Sequence, residues 1–246
     1  MPLSPEQIIL GHRAALALVR SRVKEYAATA WAAQGSYRDA DIDRLVSLIV
    51  PRVQAGQIQT ASLTSAYIAS IASLRLGRTV KAVPVPRAAI LGARGVDPDE
   101  VYRRPATVVY TALSQGAAFR DAVALGALRL GQLVAMDMQM SQVRQSRESY
   151  QRSGVQHFRR VLQGGKNCEL CIAAADQPYW SGDLMPIHGG CACTTEPSDE
   201  GSSTGTFDIG PLADPEVRVE VREHGEYGPV LTYAGQHFTG PDDLTN

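Results

Sequence analysis

The sequence predicts a mainly α-helical protein with a small β part toward its C-terminal end, and three observations carry that prediction. As far as residue 153, apolar residues recur at helical spacing between capping residues and helix breakers. At Gly154 the pattern changes to the alternation and β-branching of a strand. All four cysteines then fall between Cys168 and Cys193, in two pairs whose spacing suits a metal ion. The expected organisation is a helical body (1–153, with an internal linker at about 77–98), a strand carrying a Cys/His metal knuckle (154–197), and a linker with a C-terminal hairpin (198–246).

With 246 residues the chain can bury a substantial core. A formal net charge of −1 gives no general attraction to nucleic acid or to anionic membranes. Every apolar run is broken well short of the ~18–20 residues of a membrane span, so a soluble protein with no membrane partner is expected.

The elements follow in order. Ser4-Pro-Glu-Gln7 reads as a helix start, with Ser4 as the cap, Pro5 at the first helical position and Gln7 closing a capping box. The helix carries an apolar stripe that includes Ile8, Leu16, Leu18, Val19, Val23, Tyr26 and Ala27 up to Trp31, while Arg13, Arg20, Arg22 and Lys24 form a solvated face; Gln34-Gly-Ser36 ends it. A second helix is expected from Asp41, interrupted at Pro51 and stopped near Gly56, and a third from Thr60 to Leu76. Val83-Pro-Val-Pro86, Gly92, Gly95 and Pro98 make the linker an extended connection with at most a short turn. Asp97 opens a new helical start, Thr107 to Gln115 reads as a helix, and a longer one runs from about Ala117 to Tyr150. In that longer helix Phe119, Leu125, Leu128, Leu133, Met136, Met138 and Met140 point to a core face, with the methionines as filler, and residues 142–152 form a polar end rich in Arg and Gln.

Beyond Gly154, Val155 to Leu162 reads as a strand, Gln163-Gly-Gly165 as a turn, Ile172 to Asp176 as a single helical turn, Tyr179-Trp180 as aromatic cover, and Cys191 to Thr195 as a returning strand. The stretch from Pro197 to Gly210 is a Ser/Gly-rich linker. A hairpin follows, from Val217 to Val221 and back from Val230 to Tyr233, that needs a docking surface to be stable.

Chemistry concentrates in Cys168-Glu-Leu-Cys171 and Pro186-Ile-His188-Gly-Gly-Cys191-Ala-Cys193. A redox Cys-x-x-Cys belongs in a βαβ setting, which is absent here. Disulfides need an oxidising compartment, and the first ten residues lack the marks of a signal peptide, so reduced thiols are expected. Structural zinc is held tetrahedrally by four Cys or His ligands at about 2.0–2.3 Å. Cys168, Cys171 and Cys191 supply three ligands, and the fourth is His188 or Cys193. Four protein ligands close the site to a catalytic water, so the metal's role is structural.

A long helical part, a strand of the form Phe158-Arg-Arg-Val-Leu162, then Cys168-x-x-Cys171 and Pro186-Ile-His188-x-x-Cys191-x-Cys193 together resemble the Mu F-like minor capsid, or head morphogenesis, proteins of tailed bacteriophages, in particular their actinobacteriophage branch. The resemblance is specific over residues 155–197 and only architectural over the helices. It implies a virion protein of low copy number at the portal vertex or inside the capsid, and host cytoplasm as the place of assembly. The implied partners are the portal protein and the major capsid or scaffolding protein. Cys168, Cys171, His188, Cys191 and Cys193 match the family's Cys/His pattern position by position.

Related phages often label the corresponding gene a capsid maturation protease, which is the alternative reading. The chain has neither the G-x-S-x-G elbow of a serine hydrolase nor the His-Glu-x-x-His of a metalloprotease, so no motif supports that chemistry and no catalytic residue is assigned. A third reading, weak binding of packaged DNA through Arg144, Arg147 and Arg152, would show a steep dependence on salt.

Overall fold

The computed structural model describes residues 3–162, 169–175, 178–181, 193–198, 219–224 and 228–233. Those residues form a mainly helical protein with a small three-stranded antiparallel sheet. Helix α1 (Pro5–Ala32) begins at the expected capping box: the Gln7 amide donates to Ser4 Oγ at 3.3 Å, and the Ser4 amide donates to Gln7 Oε1 at 2.9 Å. Its buried stripe runs Ile9, His12, Leu16, Val19, Val23, Ala27 and Trp31, while Leu18 and Tyr26 face outward. The stripe therefore takes in a histidine where an unbroken apolar face was expected.

Helix α2 (Asp39–Leu76) is continuous where the sequence predicts two helices, and the physical reasons lie at the supposed breaks. Pro51 and Ser47 both sit on the exposed face, so the Ser47 carbonyl that loses its amide partner to proline can turn to water. Gly56 is a packing position. A Cβ there would stand 2.8 Å from Val23 Cγ2 and 3.1 Å from Met138 Sδ, so glycine lets α1 and the last long helix close over α2. The helix ends at Gly77, whose φ of 60° is the left-handed cap that glycine accepts without strain.

The linker contains one short helix, α3 (Arg87–Leu91), and is pinned down along its length. Ser73 Oγ accepts from the Val80 amide at 2.8 Å, and Ser65 Oγ donates to the Val83 carbonyl at 2.6 Å. At its end Arg94 enters the body, where its Nε donates to Asp137 at 2.6 Å and the Tyr102 hydroxyl donates to the other Asp137 oxygen at 2.6 Å. Helix α4 (Pro98–Ser114) starts at Asp97, whose carboxylate accepts from the Asp99 amide at 2.8 Å, and runs unbroken through the buried Pro105 to join the two segments read in sequence.

Helix α5 (Phe119–Ser153) crosses the whole body. Leu130, Leu133, Val134, Met136, Met138 and Met140 are buried, whereas Phe119, Leu125 and Leu128 are exposed. Its polar end is also half interior, because Gln142, Gln145, Ser146, Ser149 and Ser153 lie on the buried face beside Tyr150. Residues on both sides of the linker, among them Trp31, Leu45, Ile49, Val101, Val109 and Leu133, share one apolar core.

A second core forms where the sheet meets the helices. Strands β1 (His157–Val161), β2 (Pro178–Trp180) and β3 (Thr194–Pro197) make an antiparallel sheet in the order β2-β1-β3, with Phe158 opposite Tyr179 and Val161 opposite Thr194. Tyr179 is thus part of a strand, beyond the aromatic cover expected of it. Helix α6 (Glu169–Ala175) lies in the connection, and the Tyr179 hydroxyl donates to the Ala174 carbonyl. Phe158, Tyr179 and Ala174 pack with Ile9 of α1, Tyr67, Ile68 and Ile71 of α2, and Tyr150 of α5. Strands β4 (Val219–His224) and β5 (Gly228–Tyr233) form the expected antiparallel hairpin. No described helix is long and apolar enough to cross a membrane.

Candidate functional site

The sheet is held on the helical body through β3, and the contacts are polar as well as apolar. All of Thr194 to Pro197 is buried. Tyr67 of α2 donates its hydroxyl to the Thr195 carbonyl at 2.7 Å, and Tyr150 of α5 donates to Thr195 Oγ1 at 2.9 Å. Burial pushes both phenols well above the ordinary tyrosine range, which keeps them protonated as donors. The buried Glu196 carboxylate accepts from Arg75 Nη2 at 3.3 Å on one side and from Arg159 Nε of β1 on the other. Two half-exposed guanidiniums thus compensate a carboxylate that could not be buried alone.

One step upstream is Cys193. Its carbonyl accepts from Gln142 Nε2 at 3.2 Å, so α5 fixes the point at which the chain returns from the predicted knuckle to β3. The point at which the chain leaves β1 is fixed from α1: Arg13 Nη2 donates to the Leu162 carbonyl. Partial burial lowers the pKa of Arg13, and Tyr67, Cys193 and Glu196 oppose that shift, which places the Cys193 thiol within electrostatic reach of the guanidinium. The Arg13 Nε–H is buried and meets no acceptor among the described residues.

No family model, curated protein or solved structure matches the chain.

Of the five predicted ligands, Cys171 and Cys193 are described, and Cys168, His188 and Cys191 lie outside the described residues. Cys171 is buried on α6, one turn before the fully buried Ala174 and on the same helix face. Cys193 is half-buried at the head of β3. Among the described residues no three His, Cys, Asp or Glu side chains converge on one point.

Sequence reasoning assigned Arg13 to a solvated face and passed over His12. The His12 ring stacks on Tyr67 at 4.1 Å with a 4° interplanar angle, and its buried Nε2 has no partner among the described residues. Burial first, and the adjacent Arg13 second, push its pKa down to about 4, so it sits neutral against the ring that holds β3. The signal was the spacing: positions 9, 12, 13 and 16 share one face of α1, and two of those four are polar. Of the arginines read as possible DNA contacts, Arg144 donates to the Ala93 carbonyl at 2.8 Å and Arg152 pairs with Glu148, so both have work inside the chain.

Proposed function

We propose that this chain is a minor capsid, or head morphogenesis, protein of a tailed bacteriophage that associates with the portal and the inner capsid at the portal vertex and carries a structural zinc knuckle. The observation that carries the reading is the Cys/His pattern from Cys168 to Cys193 placed directly after Phe158-Arg-Arg-Val-Leu162. It is supported by the position of that pattern in the fold. Of the described thiols, Cys193 heads the segment docked on the helical body through Tyr67, Tyr150 and Glu196, and Cys171 lies on α6, which Tyr179 holds through the Ala174 carbonyl and which packs into the same second core through Ala174.

In this reading Cys168, Cys171 and Cys191, with His188 or Cys193, hold zinc, which supplies cross-linking energy to a segment with little core of its own. The helical body is a rigid support, and the exposed apolar side chains of α1 and α5, including Leu18, Leu125 and Leu128, are available to partner subunits. The test is mass spectrometry of purified mature particles. A few copies of this chain per particle, with a major coat protein that keeps its N-terminus, is the expected result. Absence of the chain together with a trimmed coat would overturn the structural reading in favour of the maturation protease.

A further inference from the structure

We propose that the groove between α1 and α5 seats α1 of a second copy of this chain, so that two copies pair about a two-fold axis with their first helices antiparallel. Such a pair needs neither zinc nor a capsid.

The groove encloses about 780 Å³, and its described lining comes from α1 and α5 alone. Ala17, Ser21 and Ala28 stand on one wall and Ala127, Gly131 and Ala135 on the other, so both walls have stretches with little side-chain bulk. Leucines stand beside these hollows. Leu128 lines the groove and is 54% exposed, and Leu18 of α1 and Leu125 of α5 are exposed as well. A two-fold interface is one patch meeting itself, so knobs and holes must occur on the same face, and here they do. Gly131 fits the same use. Glycine in mid-helix weakens a helix, and at Gly56 and Gly126 it is explained by the neighbours that a Cβ would strike. A Cβ on Gly131 would meet only the flexible end of Lys24, at 3.4 Å from Cε, so packing among the described residues does not call for glycine there.

Charge chooses the occupant. The α1 residues on the groove are Ala17, Arg20, Ser21, Lys24, Glu25 and Ala28, at the three- and four-residue spacing of one helix stripe. Set antiparallel to itself about the middle of that stripe, α1 brings Arg20 opposite Glu25 of the second copy and Glu25 opposite the second copy's Arg20. Lys24 falls opposite Ser21, and Ala17 opposite Ala28. No like charges meet, and the axis makes the opposite-charge pair occur twice. A parallel pairing would set each cation against its own counterpart, which charge disfavours. Lys24 then swings from Gly131 toward Ser21 of the second copy, and the incoming helix closes on the glycine.

Sedimentation equilibrium of the purified full-length protein, from about 1 μM to about 1 mM, reads the association. The expected result is a mass that rises with concentration from 26.4 kDa toward twice that value. Glu25→Arg sets cation against cation at both ends of the stripe and should weaken pairing at least about tenfold. Adding Arg20→Glu to it exchanges the two signs and should restore pairing. A folded double variant that pairs no better than Glu25→Arg would overturn the antiparallel register. Gly131→Ala separates an interface from a structural role. It should raise the thermal midpoint of the single chain, because alanine is the better helix former and has room, and at the same time weaken pairing. Pairing unchanged by both Glu25→Arg and Gly131→Ala would put the contact elsewhere and overturn the proposal. So would a wild-type protein that keeps the mass of one chain at every concentration, which would leave the groove to a helix of another protein.

Discussion

Asp137 shows how much a single buried side chain can be asked to do. It receives Arg94 from the linker and Tyr102 from α4 while sitting on α5, so three segments meet at one carboxylate. A buried ion pair adds little net stability, but removing one partner leaves the other charge desolvated. Asp137→Ala is expected to destabilise the protein by about 3–5 kcal/mol, measured by urea unfolding. A loss under about 1 kcal/mol would mean that Arg94 finds water instead. His12 makes the complementary case, a group buried in its neutral form. Its folded pKa of about 4 lies below the ordinary value of 6.5, so between those values the unfolded chain binds a proton that the folded chain refuses. Stability contributed by neutral His12 is full above about pH 6.5 and is lost as pH falls toward 4. Its ring stacks on Tyr67, and the charge that acts on it, Arg13, pushes in the same direction as burial. Replacing His12 with Phe, which keeps a ring on Tyr67, should remove about 2 kcal/mol of the wild-type loss between about pH 7.5 and pH 5. Identical pH profiles for the two proteins would show that His12 is solvated in the native state.

Among the elements, α2 and α5 carry the architecture, and glycine sets how closely they pack. Gly126 on α5 faces Trp31: a Cβ there would stand 2.5 Å from Trp31 Cζ2 and 2.7 Å from Val109 Cγ2. Trp31 cannot yield easily, since its indole N–H donates to the Val123 carbonyl at 3.2 Å and its ring lies against Tyr37. Gly126→Ala, which would raise helix propensity at an exposed site, is expected here to cost about 1–3 kcal/mol by overpacking, read as a lowered thermal midpoint. A neutral or stabilising result would mean that α1 and α5 can move apart. The same two glycine roles explain what the sequence did and did not disclose about the helices. The capping box at Ser4 and the αL stops at Gly77 and Gly154 are local chemistry and were legible. Gly56 and Pro51 looked like stops because a helix boundary is a local inference, whereas the reasons α2 continues are its approach to Val23 and Met138 and the exposure of one carbonyl, which are tertiary facts. The face of α5 was misjudged at Phe119, Leu125 and Leu128 for a related reason. That helix is buried along different sides at its two ends, so no single stripe describes it.

For the whole molecule, the division into a helical part and a small β unit was legible from the change of period at Gly154. The junction between them was not. Tyr67, Tyr150, Arg75 and Glu196 are separated by long stretches of chain, and each looks like an ordinary helix or strand residue until Thr195 and the sheet are set against them. That junction gives the protein two cores, one within the bundle and one under the sheet, with different supports. The bundle core is built from side chains of α1, α2, α4 and α5. The β unit rests on a few tyrosines and arginines, an aromatic layer of Phe158, Tyr179 and Tyr150, and the zinc that the cysteines are proposed to hold. Amide hydrogen exchange of the zinc-loaded protein, with and without chelator, separates these supports directly. Loss of protection confined to residues 155–197, with α2 and the buried half of α5 unchanged, is the predicted result, because metal binding energy there is folding energy. A protein that carries no zinc as purified and exchanges identically in chelator would contradict it.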